Sequence, residues 1–135
     1  MATIRQDIIL ACPPASVWDA VRDLEAVHER LVPGYAAAAR VEGDTRILTM
    51  ANGAVVRELI LGVDDELRRL AYSVIETPMP IKSHHATFEV FSDGDDGALL
   101  VWTTDALPDS LESEIRARTA RGAAVIKQTL EAACR

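Results

Sequence analysis

The chain has 135 residues, about half of them apolar and a quarter charged, with a formal charge of −7. That balance fits a soluble globular fold with one core, expected as a single domain over residues 1–135. Lys and Arg form no cluster, which argues against nucleic acid and anionic membrane surfaces as partners, since both require a basic footprint. The two cysteines, Cys12 and Cys134, are far apart in sequence and in no metal-ligand spacing. A small secreted scaffold would carry more, so a reducing, cytoplasmic setting is expected. The start "MATIRQDIIL" lacks a signal-peptide pattern, and no apolar run reaches membrane-spanning length, so no stable membrane insertion is expected.

"TIRQDIIL" alternates loosely and ends at Pro13-Pro14, which predicts a first strand over residues 3–11. "PASVWDAVRDL" follows with Val17, Trp18, Val21 and Leu24 at helical spacing and Pro14 in the first turn. Asp23 is placed to cap a second short helix, "LEAVHERL", ending at Pro33-Gly34. Strands then follow one another. "YAAAARVEG" and "TRILTMA" flank Gly43-Asp44; "TRILTMA" and "AVVRELILGV" flank Asn52-Gly53; "ELRRLAYSVIE" follows Asp64-Asp65; "HHATFEVF" and "ALLVWTTDA" flank "SDGDDG". Short turns between successive strands predict an antiparallel meander.

After "LPDS" the apolar period changes. Asp109 or Ser110 is a candidate cap, and Leu111, Ile115, Thr119, Gly122, Ile126, Leu130 and Ala133 fall on one face. The spacing predicts one amphipathic helix over residues 110–133, about 24 residues and about 36 Å long. The fold class is therefore α+β: strand, two short helices, five or six strands, long helix. Only the terminal helix is large enough to cover the apolar face of the sheet, and a curved sheet gripping one helix leaves room for a ligand.

The segments "CPPASVWDAVRDLEAV", "TRILTMANGAVVRELILGVDDELRRLAYSVIE", "PMPIKSHHATFEV" and "GALLVWTTDAL", in this order and with the terminal helix, resemble the START-like helix-grip superfamily (SRPBCC). Within it the chain is most similar to the polyketide cyclase/dehydrase and lipid-transport family. The resemblance implies about seven strands wrapped around the C-terminal helix, with an internal cavity for an apolar or aromatic small molecule. It supports the fold more than the reaction. Members of this branch often carry an aromatic residue near the second helix; here that region reads "VHERLVPGY", leaving His28 and Tyr35 as alternative substitutes.

Only three histidines occur, two of them adjacent, His84 and His85. On a strand, neighbours point to opposite faces. His84 shares parity with Ala86, Phe88 and Val90, the apolar face, and His85 with Thr87 and Glu89, so His85 is expected in solvent. The pair cannot chelate one ion without a bulge, and no metal or cofactor is expected. For His84, a hydrogen-bonded position in the pocket wall is favoured over proton transfer to or from an enolisable ketone; the resemblance places it at a position commonly aromatic and cavity-facing. A three-residue connection Ala51-Asn52-Gly53 sets Arg46 opposite Glu58 and Leu48 opposite Val56. A two-residue Asn-Gly turn would set Arg46 opposite Leu59 and turn Glu58 away. The first register is preferred because it pairs opposite charges. An ion pair fixing register is favoured over a catalytic role; the alternative gives Arg46 a ligand carboxylate, phenolate or enolate to bind. Tyr72 and Trp102 share parity with inward residues, Trp18 reads as packing, and Gly122 marks a close approach or room for a ligand.

The candidate ligand-binding residues are thus Arg46, Leu48, Glu58, Tyr72, His84, Phe88, Trp102, Gly122 and Ile126, with His84, Arg46 and Glu58 the candidates for any catalysis. Three functions compete: a binding or transport protein for a hydrophobic small molecule, an aromatase/cyclase-type enzyme, and a regulatory or structural module with a filled interior. Two each of Phe, Trp and Tyr, together with Ala-rich "YAAAARV", leave volume unfilled and favour binding. The expected state is a monomer or homodimer.

Overall fold

The computed structural model describes residues 1–134. The chain runs through β1 (Ala2–Leu10), α1 (Pro14–Val21), a 3-10 turn (Leu24–Ala26), α2 (Val27–Arg30), β2 (Ala36–Glu42), β3 (Thr45–Met50), β4 (Val55–Asp64), β5 (Arg69–Glu76), β6 (Ser83–Asp93), β7 (Gly97–Leu107), a second 3-10 turn (Asp109–Leu111) and α3 (Glu112–Ala133). The seven strands form one antiparallel sheet in the order β1-β7-β6-β5-β4-β3-β2. Six of them are a meander; β1 instead crosses the sheet to pair with the last strand. This is the α+β helix-grip architecture, with the long helix against the concave face.

The β3–β4 connection is the three-residue one. Arg46 stands opposite Glu58 and Leu48 opposite Val56, and Met50 N–H bonds the Ala54 carbonyl across the turn. Gly53 sits at φ 88°, left-handed space that a β-carbon would strain.

Rows of inward side chains cross the sheet, because each pairing preserves parity. One row runs Ile60, Tyr72, Ala86, Thr104 and Ile4 from β4 to β1; the next runs Leu70, Phe88, Trp102 and Gln6; a third holds Val90, Leu100 and Ile8. The third row, with Val17, Trp18, Val21, Ile126 and Leu130, fills the main core. Trp18 also donates its indole N–H to Asp65 at 2.9 Å, so the packing residue anchors α1 to the β4–β5 turn as well. The α3 residues Ile115, Thr119, Gly122, Ile126 and Leu130 are buried, as the helical period predicts. Ala133, expected on the same face, is exposed.

Three local expectations are corrected. The segment "LEAVHERL" is a 3-10 turn followed by a single helical turn rather than one helix. Asp23 caps nothing; its carboxylate accepts from Arg30 at 3.0 Å, a charged partner that outcompetes backbone N–H groups. Neither Asp109 nor Ser110 caps α3: both lie in the preceding 3-10 turn, where Asp109 meets the N-terminal ammonium at 2.5 Å.

Cys12 and Cys134 are joined by a disulfide, with Cα atoms 5.8 Å apart. Sequence separation hid this proximity, since β1 and the end of α3 meet only in the folded state. The bond removes the cysteine-based argument for a reducing compartment. Among the described residues, no helix is long and apolar enough to cross a membrane.

Candidate ligand cavity

A cavity of about 180 Å³, open at one mouth, lies between the concave face and α3. Its polar end begins with the fourth inward row, Arg46 on β3, Glu58 on β4, Val74 on β5 and His84 at the start of β6. Arg46 and Glu58 are 3% and 6% exposed. Isolated charges so deep would be prohibitively costly, and their mutual contact is what makes the burial tolerable. Arg46 Nε donates to Glu58 Oε1 at 2.8 Å and Nη2 approaches the same oxygen at 2.8 Å. Nη1 reaches the Leu24 carbonyl at 3.4 Å, tying β3 to the first 3-10 turn. The guanidinium also lies 5.9 Å from the centre of the Tyr72 ring.

His84 is held by the end of a strand ladder. The β5–β6 pairing stops at Tyr72 opposite Ala86, so the next β5 amide has no strand carbonyl to bond. The Val74 N–H donates instead to His84 Nδ1 at 3.0 Å, and the Ser73 hydroxyl donates to the His84 carbonyl. A nitrogen that accepts carries no proton, so the neutral ring holds its proton on Nε2. Burial pushes the imidazole pKa down to about 4, with a smaller contribution from His85, so the ring is neutral at pH 7.

Tyr72 is stacked 6.1 Å from Phe88, which is stacked 4.8 Å from Trp102. The Trp102 indole N–H donates to the Tyr72 hydroxyl at 3.1 Å. Burial raises the Tyr72 pKa, with a further rise from Glu58, so the phenol stays protonated. Gly122 of α3 lies against Trp102: a β-carbon there would stand 3.0 Å from the indole ring. The helix wall is pinned to β1 by Gln6 Nε2 donating to Thr119 Oγ1 at 3.1 Å.

All nine residues singled out from the sequence line this cavity, and so does Tyr35. His85 is exposed. His28 does not line the cavity; it sits beside Glu29 at 3.4 Å with its Nδ1 buried and unpartnered among the described residues. Several lining residues were missed. Met50, Val56, Val74 and Thr104 follow from the same strand parity as the seven strand residues among the nine and were legible had it been extended. Met79 and Ile81 lie in the proline-bounded segment between β5 and β6, where no period exists to place them.

No protein of curated function matches the sequence. Similar solved structures include the protein XoxI from Bacillus cereus, 20% identical over 99% of this chain and 96% of that one with a TM-score of 0.85. A START superfamily protein from Mycobacterium smegmatis is 12% identical over 99% and 97%, with a TM-score of 0.77. Norcoclaurine synthase from Thalictrum flavum, in complex with dopamine and hydroxybenzaldehyde, is 18% identical over 96% and 83%, with a TM-score of 0.75. The family described as polyketide cyclase/dehydrase and lipid transport matches residues 1–133, and the chain belongs to it.

Proposed function

We propose that the protein binds a hydrophobic small molecule, lipid- or polyketide-like, in the cavity between sheet and α3. The observation that carries this reading is the cavity itself: a walled space of about 180 Å³ lined mainly by apolar and aromatic side chains, with a few polar groups at one end. A regulatory module with a filled interior would have no such space. For a cyclase-type enzyme, the residues named as catalysts are poorly disposed as bases. The His84 Nδ1 lone pair is committed to Val74, and Glu58 is bonded to Arg46. The likeness to norcoclaurine synthase carries the fold and not the chemistry.

Thermal-shift screening of a library of apolar and aromatic compounds tests the proposal. A ligand at a hundred times its Kd adds about 2.7 kcal/mol, a rise in Tm on the order of 10 °C for a domain of this size. Val56→Phe, which fills part of the cavity, should abolish the shift while the variant stays folded. A screen with no shift, or a shift that survives Val56→Phe, would remove the reading.

A further inference from the structure

The cavity's polar groups have a definite polarity. Every charged side chain that lines it is matched: Arg46 by Glu58 at 2.8 Å, and Arg118 at the mouth by Glu114 at 2.9 Å. The wall therefore offers no uncompensated charge to an ionised ligand, which would lose its hydration without a counter-ion. Among the neutral polar groups of the wall, which also include Tyr35, Thr77, Thr104 and Thr119, the His84 and Tyr72 side chains stand beside the ion pair. The His84 ring accepts at Nδ1, so Nε2 carries the proton, and among the described residues nothing receives it. The Tyr72 hydroxyl accepts from Trp102, and its own O–H has no acceptor among the described residues, so it is free to donate toward the cavity. These two side chains sit on adjacent rows, their rings 5.9 Å apart.

Resting on the proposed binding function, we propose that the ligand carries an uncharged hydrogen-bond acceptor, a carbonyl oxygen on an apolar skeleton. His84 is the specificity-determining residue that receives it through Nε2–H. The tautomer is imposed by the backbone: as long as Val74 N–H donates to Nδ1, the ring can present only a donor to the cavity. The low pKa of the imidazole keeps this arrangement intact across the neutral range. A site that offers donors without a net charge discriminates against the analogue lacking the acceptor, because the donors would then stay buried and unpaired. It discriminates equally against a carboxylate, which finds donors but no cation that is not already neutralised.

The test uses three probes of one skeleton: 2-acetylnaphthalene, 2-ethylnaphthalene and 2-naphthoate. Their affinities for the intact protein are measured by calorimetry or by Trp102 fluorescence, beside the imidazole nitrogen spectrum at pH 7. The expected result is a pyridine-like Nδ1, a protonated Nε2, and the ketone bound about tenfold more tightly than the ethyl compound, the worth of one neutral hydrogen bond. The ratio should fall to about one in His84→Phe and recover in part in His84→Gln, whose amide keeps both a donor and an acceptor for Val74 N–H. Circular dichroism confirms that each variant is folded. A protonated Nδ1, equal affinities for all three probes, tightest binding of the naphthoate, or a ratio that survives His84→Phe overturns the inference while leaving the binding function standing. Failure of all three probes to bind, in a protein that also gives no shift in the apolar screen, removes the binding function and this inference with it.

Discussion

The adjacent histidines show how differently one backbone treats two identical side chains. His85 projects into solvent, and His84 is turned inward and fixed by a main-chain amide that its own strand pairing leaves unmet. Its folded-state pKa of about 4 lies below the ordinary value of 6.5, so between these values the unfolded chain binds a proton that the native one refuses. Above pH 6.5 the residue costs nothing; on acidification toward pH 4 it removes stability, at most about 3 kcal/mol. Denaturant titrations at pH 7, 5.5 and 4 should show the native protein losing more stability than His84→Gln over this window. Parallel losses in the two proteins would mean that the ring titrates normally. The inward direction of His84 was legible from strand parity. Its tautomer was not, because it depends on where the β5–β6 ladder stops, a tertiary event with no local signal.

At the level of elements, the turns and periods were the readable part. Asn52-Gly53 and the acidic glycine turns placed the hairpins, and the charge match of Arg46 with Glu58 selected the register that the structure adopts. The face of α3 was readable through its three- and four-residue steps. The segment after α1 was not: its residues split between 3-10 and helical turns according to which polar partner each found, as with Asp23 and Arg30. Gly122 puts two tendencies in opposition. Replacing it with Ala gains about 1 kcal/mol of helix propensity. The new β-carbon would lie 3.0 Å from Trp102, whose ring is stacked on Phe88 and hydrogen-bonded to Tyr72 and cannot easily move. Overpacking of this kind costs about 1–3 kcal/mol, so Gly122→Ala should lower Tm. A rise in Tm would show that the helix can lift away from the sheet.

For the whole molecule, the disulfide dominates. Residues 12 and 134 enclose almost the entire sequence, a separation of 122. In the chain-entropy view, closing a loop of that length restricts the unfolded state by about 5 kcal/mol. Such a term rivals the total stability of many small domains. Reduction with a dithiol, or the double change Cys12→Ala with Cys134→Ala, should therefore shift the urea midpoint strongly downward with the fold retained at low denaturant. An unchanged midpoint would place the native sulfurs in the thiol form. Neither cysteine advertised this in sequence: their partnership is written only in the crossing of β1 to the far end of the chain.

The position of that bond also decides how the molecule would carry force. Cys12 follows β1 directly, so six strands and all three helices lie inside the covalent loop and β1 alone lies outside it. Tension applied between the chain ends would pass from Cys134 through the sulfurs to Cys12 and then along β1 to Met1. The β1–β7 ladder and the bonds from β1 to α3, such as Gln6 to Thr119, would bear the load, and stretching would release the dozen residues up to Cys12, about 40 Å at about 3.3–3.6 Å each. The ligand cavity would stay mechanically shielded behind that ladder.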